Sequence, residues 1–193
     1  MILTARVDGG ARVGARTAGA LLVLATLLVY APSFHHPFVN YDDPAYVVDN
    51  PHVRSGLSGE GIAWALRAVW PSYWHPLAWL SHMADVEIFG LSPGAHHAVS
   101  VLIHAFNGVL LMLVLLRGTR ALGRSLFVAA LFALHPLHVE SVAWIAERKD
   151  VLCGLFFLLT LLAYLRYAKR PGRVRYGCVV VLMALGLWPS PCS

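Results

Sequence analysis

The sequence predicts an all-α protein whose helices cross a lipid bilayer several times. The chain has 193 residues, of which 58% are hydrophobic and 13% charged, and its mean hydropathy is +0.64. This composition lies outside the range of ordinary soluble domains. The apolar residues are also clustered into stretches that approach the roughly 20 residues needed to span the hydrocarbon core. Lipid is therefore the expected solvent for most of the chain.

Three stretches have spanning length, at 17–34, about 95–116 and 151 to about 167. The first follows a short basic segment and carries no charge, which is typical of a membrane anchor. A cleavable signal peptide is an alternative for it. Because Pro32 directly follows the small residues at which cleavage would occur, the pattern favours an uncleaved span.

Two further stretches are shorter. The stretch 125–134 reaches a His-Pro pair after ten residues, so it spans the bilayer only if it continues past a kink at Pro136. A re-entrant segment is the alternative. The stretch 176–188 is followed by a tail at 189–193 that the sequence predicts to be truncated or aberrant. Spans two to five then occupy 95–188.

Charge predicts the orientation of these spans. If residues 1–16 are cytoplasmic and each stretch crosses once, most of the 15 Lys and Arg residues lie on the cytoplasmic side, near 117–124 and 166–175. This is the distribution that the positive-inside rule expects. The net charge of +5 is explained by these juxtamembrane clusters. No nucleic-acid partner is indicated.

The first extracytoplasmic loop, 35–94, is predicted to lie on the membrane surface. Within 58–70, an apolar face formed by Ile62, Leu66 and Val69 predicts an interfacial helix. The following segment, 72–90, predicts a second one. The loop therefore carries two helices at the level of the lipid headgroups.

An acidic pair, Asp42 and Asp43, lies a few residues beyond the first span, at the depth of a lipid phosphate. Adjacent carboxylates repel each other and require a cation, a donor or water nearby. Spacing alone leaves two interpretations open. The pair caps backbone amides in a turn, or it acts on a substrate at the membrane surface as a general base or as ligands of a divalent metal ion.

The second extracytoplasmic loop, 135–150, is rich in polar side chains. Its two histidines are three residues apart, but the proline between them disturbs a helix and no third ligand is indicated, so a zinc site is not favoured. Arg148 and Lys149 are cations that could neutralise a departing phosphate. A salt-bridge network with the acidic residues of the same loop is the alternative.

Two polar residues, His104 and Asn107, fall inside the second span. Polar groups are costly at that depth. Hydrogen bonds between helices are the favoured explanation. A transporter path is the weaker alternative, because the other spans are mostly uncharged.

Three long strings resemble one known family. They are YDDPAYVVDNP from Tyr41, YWHPLAWLSHMADVEIFGLSPGAHHAVSVLIHAFN from Tyr73, and FALHPLHVESVAWIAERKDVLCGLFFLLTLLAYLRY from Phe132. Together they are similar to the membrane portion of the transmembrane and tetratricopeptide-repeat proteins, the O-mannosyltransferase-like branch of the GT-C glycosyltransferases. The likeness covers about 38–187.

The resemblance implies a GT-C-like N-terminal half of a multi-pass glycosyltransferase. Such an enzyme moves a sugar, here mannose, from a polyprenyl-phosphate carrier in the membrane to a Ser or Thr hydroxyl of an extracytoplasmic protein. Asp42 and Asp43 are then the implied catalytic pair. The implied substrate- and phosphate-binding residues lie in the second loop: His138, Glu140, Arg148 and Lys149. The resemblance identifies no cofactor. From the chemistry of the residues alone, a divalent ion bound by the acidic pair could share in stabilising the leaving phosphate.

Alternatives keep this fold but change its role. The acceptor could be a lipid or a surface glycan, or the chain could be a non-enzymatic anchor for a tetratricopeptide-repeat domain. Family members continue with further spans and with helical repeats of about 34 residues, so the chain is expected to be an incomplete and inactive fragment. Its Ala-, Gly- and Arg-rich composition predicts a bacterial inner-membrane protein.

Overall fold

The computed structural model describes residues 9–69 and 74–187, and within these ranges every regular element is helical. The α-helices are α1 (Gly9–Tyr30), α2 (Pro51–Arg54), α3 (Gly59–Ala65), α4 (Pro76–Phe89), α5 (Pro93–Thr119), α6 (Leu122–Leu134), α7 (Val139–Ala143), α8 (Arg148–Lys169) and α9 (Arg173–Leu187). Short turns of 3-10 or π type are found at Ala31–His35, Pro44–Val48, Pro136–His138 and Ile145–Glu147.

Three of the helical stretches are long and apolar enough to cross a bilayer, which confirms the three spans of sufficient length. They run over Val13–His35, Pro93–Thr119 and Ile145–Lys169. Each extends beyond its predicted range, because helical hydrogen bonding continues into polar residues that hydropathy leaves out. The last of them begins inside the predicted second loop.

The third stretch forms α6 and then bends. Its 13 residues reach only about 20 Å at the helical rise, and the pair Leu122–Leu134 and Pro136–Ala143 is bent by 48°. The break occurs at His135, which is extended (φ −71°, ψ 132°) because the following proline disfavours helical geometry there. This geometry suits a broken span or a re-entrant loop, the two alternatives that the sequence predicts.

The fifth stretch is the 15-residue helix α9, which packs along α8. It starts three residues before the predicted range. A Cβ placed on Gly186 would lie 3.2 Å from the Cβ of Phe156, so the two helices approach closely there. Trp188 and the predicted aberrant tail at 189–193 lie outside the described residues.

Helix α5 packs against α1, α6 and α8. At one end of these helices, the end of α1, the first turns of α5 and the start of α8 meet in a buried cluster that includes Tyr30, Val101 and Val151. At the opposite end, the Thr119 and Ser125 hydroxyls are 3.4 Å apart. The helices therefore alternate in direction, as the predicted order of spans requires.

The predicted interhelical hydrogen bonds of α5 are confirmed. His104 Nε2 is 3.0 Å from the Ala133 carbonyl oxygen at the end of α6. Asn107 Nδ2 donates to the Val151 carbonyl oxygen of α8 at 2.8 Å. Both side chains are buried, so these bonds offset the cost of placing polar groups inside the helix bundle.

Gly108 provides the close contact of α5 with its neighbours. A Cβ there would lie 3.1 Å from the Ala133 Cβ and 3.5 Å from a Leu22 methyl carbon. Gly108→Leu is therefore expected to destabilise the fold by about 1–3 kcal/mol through overpacking, measured as the free energy of unfolding in detergent micelles. Gly118→Leu on the same helix is the control, because nothing lies within 4 Å of its Cβ position. Equal stability of the two variants would contradict this packing.

The first loop folds over one end of the helices around a buried core. This core contains residues from the loop and from the segment before α8: Tyr46, Val47, Val53, Ala65, Trp79, Met83, Ile145 and Ala146. Because the two predicted loops share these contacts, they form one structural layer.

Both predicted loop helices exist, with different bounds. The first prediction, 58–70, is too long: α3 ends at Ala65, where Trp74 Nε1 donates to the Leu66 carbonyl oxygen. The second helix begins at Pro76, since proline suits the first helical turn. Several α4 side chains, including Trp79 and Met83, are fully buried. Helix α4 thus contributes one face to the buried core of this layer. Residues 70–73 lie outside the described part.

Candidate functional site

The two carboxylates of the acidic pair lie in different environments. Asp43 is fully buried. Its Oδ2 accepts a hydrogen bond from the Val39 N–H at 2.7 Å, and its Oδ1 accepts one from the Ala146 N–H at 3.0 Å. Two backbone donors thereby stabilise the buried charge. Asp43 ties the turn after the first span to a segment that is distant in sequence.

Asp42 is partly exposed. Its backbone carbonyl accepts the Tyr46 N–H at 2.9 Å, but its carboxylate makes no hydrogen bond or ion pair with any residue that the structure describes. This separation also resolves the expected repulsion between neighbouring acids, because Asp43 is turned inward. Asp42 is the carboxylate of the pair that is available to a substrate.

The rings of Tyr46, Trp79 and His75 form an aromatic wall next to the acidic pair. The Tyr46 ring stacks on Trp79 with centroids 4.8 Å apart, and its hydroxyl lies 3.1 Å from His75 Nε2. Lys149 Nζ lies 6.0 Å from the Tyr46 centroid and donates to Glu147 Oε1 at 3.0 Å. Because 19% of its side chain is exposed, Lys149 can contact a ligand while it remains bonded to Glu147.

Arg148 is placed differently from the predicted phosphate ligand. It is fully buried at the first position of α8, and its guanidinium forms an ion pair with Asp85. Its Nε donates to Ser100 Oγ at 3.1 Å, and its two terminal nitrogens donate to Ser81 Oγ at 3.1 Å and to the His96 carbonyl oxygen at 2.7 Å. In this arrangement, the Arg148 guanidinium is fully occupied by protein acceptors and is not placed to contact a leaving phosphate.

The other two predicted residues of the second loop make no described contact with the acidic pair. The His138 ring packs against Phe132 and His104, with centroids 4.6 Å and 5.5 Å away. Glu140 is exposed. Across the described ranges, neither side chain has a hydrogen bond, ion pair or ring contact with Asp42 or Asp43. The structure thus brings Lys149 toward the aromatic wall and leaves His138 and Glu140 elsewhere.

Arg148 is surrounded by buried side chains that are not among the predicted site residues. The ligand atoms of His82, Asp85 and His96 lie within 4.8 Å of one another. They are close enough for a metal ion to bind all three after small side-chain movements. However, Arg148 already neutralises the Asp85 carboxylate, so a divalent ion would add uncompensated buried charge. One sequence feature does indicate this group. His82 and Asp85 are three residues apart, which places both side chains on the same face of a helix.

His82 is expected to make stability depend on pH. Burial, the Arg148 guanidinium and His96 hold the pKa of the His82 imidazole well below its usual range. The unfolded chain takes up a proton below about pH 6.5, whereas folded His82 does not, so stability falls as the pH drops below that value. The loss approaches about 1.4 kcal/mol per pH unit.

The free energy of unfolding between pH 7 and pH 5 tests this expectation. The carboxylate that faces His82 is Asp85, and it is present in every variant. His82→Gln should reduce the slope without abolishing it, because the pKa of His138 is also lowered by burial, while His35→Gln, at an exposed histidine, should retain the full slope. The same slope in wild type and His82→Gln would show that His82 contributes nothing.

Three relatives illustrate what the chain is similar to. It is 36% identical over 163 residues to Protein O-mannosyl-transferase TMTC1 of Mus musculus, covering 77% of this chain and 17% of the relative. For the Homo sapiens protein of that name, the identity is 33%, with 100% and 23% covered. For Protein O-mannosyl-transferase TMTC4 of Mus musculus, it is 31%, with 76% and 22% covered.

The chain spans about a fifth of the length of these curated relatives. No protein-family model matches it, and no solved structure does. The three relatives are animal proteins, so they give no support to the predicted bacterial origin. The similarity extends over the acidic pair, the helical layer around it and the spanning helices.

Proposed function

We propose that this chain, which belongs to the family of transmembrane and tetratricopeptide-repeat proteins named protein O-mannosyl-transferases, forms the acidic part of a GT-C-type mannosyltransferase site. The donor is a polyprenyl-phosphate mannose in the membrane, and the acceptor is a Ser or Thr hydroxyl of a protein on the extracytoplasmic side. The observation that carries the proposal is the division of the acidic pair into one anchored and one available carboxylate.

In the proposed reaction, Asp42 is the general base. Its carboxylate takes the proton of the acceptor hydroxyl while the hydroxyl oxygen forms a bond to C1 of the mannose. The bond between C1 and the phosphate oxygen breaks, and polyprenyl phosphate leaves with the electron pair. This displacement inverts the configuration at C1. Lys149 is the nearby cation that can stabilise the leaving phosphate.

Asp43 has a positioning role in this scheme. Its two oxygens already accept backbone N–H groups, so Asp42 is the remaining ligand that the pair offers to a cation. Mg²⁺ is usually held by one or two carboxylates together with substrate phosphates, so Asp42 could supply the protein ligand to such an ion. The ion would then neutralise charge on the leaving phosphate, and no step of the proposed reaction is routed through it.

The substrate assignment is tested with membranes from cells that express the complete open reading frame around this sequence. Labelled mannose on a short polyprenyl phosphate is the donor, and a Ser/Thr peptide, the matched Ala peptide and a glycolipid are the acceptors. Transfer to the Ser/Thr peptide alone supports the proposal. Transfer to the glycolipid would reassign the acceptor. Absence of transfer to every acceptor would favour a membrane anchor for a repeat domain.

A further inference from the structure

Arg148 joins three helices through one buried side chain. It begins α8, and its guanidinium binds Ser81 and Asp85 of α4 as well as Ser100 and the His96 carbonyl of α5. A buried guanidinium is tolerated only when paired and hydrogen-bonded, and these four acceptors meet that condition. The orientation of the first turn of α8 is therefore fixed relative to α4 and α5.

This joint lies next to the anchor of the acidic pair. Ala146, whose N–H donates to Asp43 Oδ1, precedes Arg148 by two residues, which limits their Cα separation to about 7 Å. Ala146 lies in the single 3-10 turn Ile145–Glu147, and Ile145 and Ala146 are buried in the core that contains Tyr46 and Trp79. A shift of Arg148 is therefore transmitted to the amide that holds Asp43.

We propose that the Arg148–Asp85 ion pair positions the acidic pair. The ion pair fixes the 145–147 turn relative to α4 and α5. This turn holds Asp43 and thereby directs the Asp42 carboxylate toward the substrate. This inference rests on the proposed function. It assigns Arg148 and Asp85 an effect on the reaction rate without contact with the sugar or the phosphate. The predicted phosphate-binding role of Arg148 is replaced by an indirect one.

The local effect is tested by hydrogen–deuterium exchange of the protein in nanodiscs. Asp85→Asn, Arg148→Lys and the double variant Asp85→Asn/Arg148→Gln are compared with wild type, and Arg67→Gln, at an exposed arginine, is the matched control. We expect faster exchange in peptides that cover 39–46 and 144–149, with no change where α1 packs against α6. Unchanged exchange at 144–149, or an equal increase everywhere, would overturn the proposal.

The effect on the reaction is tested by the mannosyl-transfer kinetics of the same variants. Misplacement of a catalytic group by about 1 Å costs up to about 100-fold in rate, so kcat is expected to fall about 10- to 100-fold while KM for donor and acceptor changes less than about twofold. Arg148→Lys should retain more activity than the double variant, because it keeps the charge. A rise in KM with an unchanged kcat would show direct substrate binding and overturn the positioning role.

The two experiments separate the inference from the proposed function. Hydrogen–deuterium exchange does not depend on catalysis. Faster exchange confined to 39–46 and 144–149 in Asp85→Asn therefore shows by itself that the ion pair holds the 145–147 turn in place. Absence of transfer by the wild-type protein would overturn the proposed function and, with it, the effect on the reaction rate. Normal kcat in a variant whose 144–149 exchange is faster would overturn the inference alone.

Discussion

Asp42→Asn is expected to lower mannosyl transfer by about 10²- to 10⁴-fold, the contribution that a positioned general base usually makes. The amide has the shape of the carboxylate but cannot take the proton of the acceptor hydroxyl. Because the Asp42 carboxylate has no hydrogen bond or ion pair among the described residues, the variant should fold normally. The measurement is the initial rate of transfer per folded molecule.

Asp49→Asn is the matched control for this loss, since Asp49 is an exposed acid in the same loop. Its rate should stay close to that of wild type. The fold of Asp42→Asn is checked by its unfolding midpoint, which should equal that of the control. A transfer rate of Asp42→Asn within about twofold of wild type would exclude Asp42 as the base.

Asp43→Ala is expected to cost about 2–6 kcal/mol in the free energy of unfolding. Two buried backbone donors, the N–H groups of Val39 and Ala146, would lose their acceptor, and each unpaired buried group costs about 1–3 kcal/mol. The measurement is denaturant or thermal unfolding in micelles. Transfer should also fall, as a consequence of lost structure around Asp42.

Asp43→Asn distinguishes this anchoring role from a direct chemical one. An amide keeps one acceptor oxygen but turns an NH₂ group toward the other backbone N–H, so it should restore only part of the stability. We expect its unfolding free energy to lie between those of wild type and Asp43→Ala. Wild-type stability in both variants would show that the two hydrogen bonds of Asp43 do not hold the layer together.

The spans were predictable because their evidence is local. The length and hydropathy of α1, α5 and α8 suffice to identify a membrane helix, and the polar His104 and Asn107 within α5 point to neighbouring helices. Helix bounds were less accurate. At the end of α3, Trp74 Nε1 donates to the Leu66 carbonyl oxygen from eight residues away, a contact that the local sequence pattern does not indicate.

The candidate site was predictable only in part. The acidic pair was found from its place after a span, but its division into Asp42 and Asp43 depends on Ala146, which lies 103 residues from Asp43. No spacing within the sequence reveals that contact. The adjacent cations Arg148 and Lys149 predict a shared phosphate-binding role, whereas the four acceptors of Arg148 come from α4 and α5.

In the proposed site, one acid of the pair reacts and the other holds it in place. The most direct measurement is mannosyl transfer per folded molecule by wild type, Asp42→Asn and Asp43→Asn, with the unfolding midpoint of each taken from the same preparation. We expect Asp42→Asn to transfer mannose about 10²- to 10⁴-fold more slowly at wild-type stability, and Asp43→Asn to be less stable. Wild-type transfer by Asp42→Asn, together with full stability of Asp43→Asn, would contradict this division of roles.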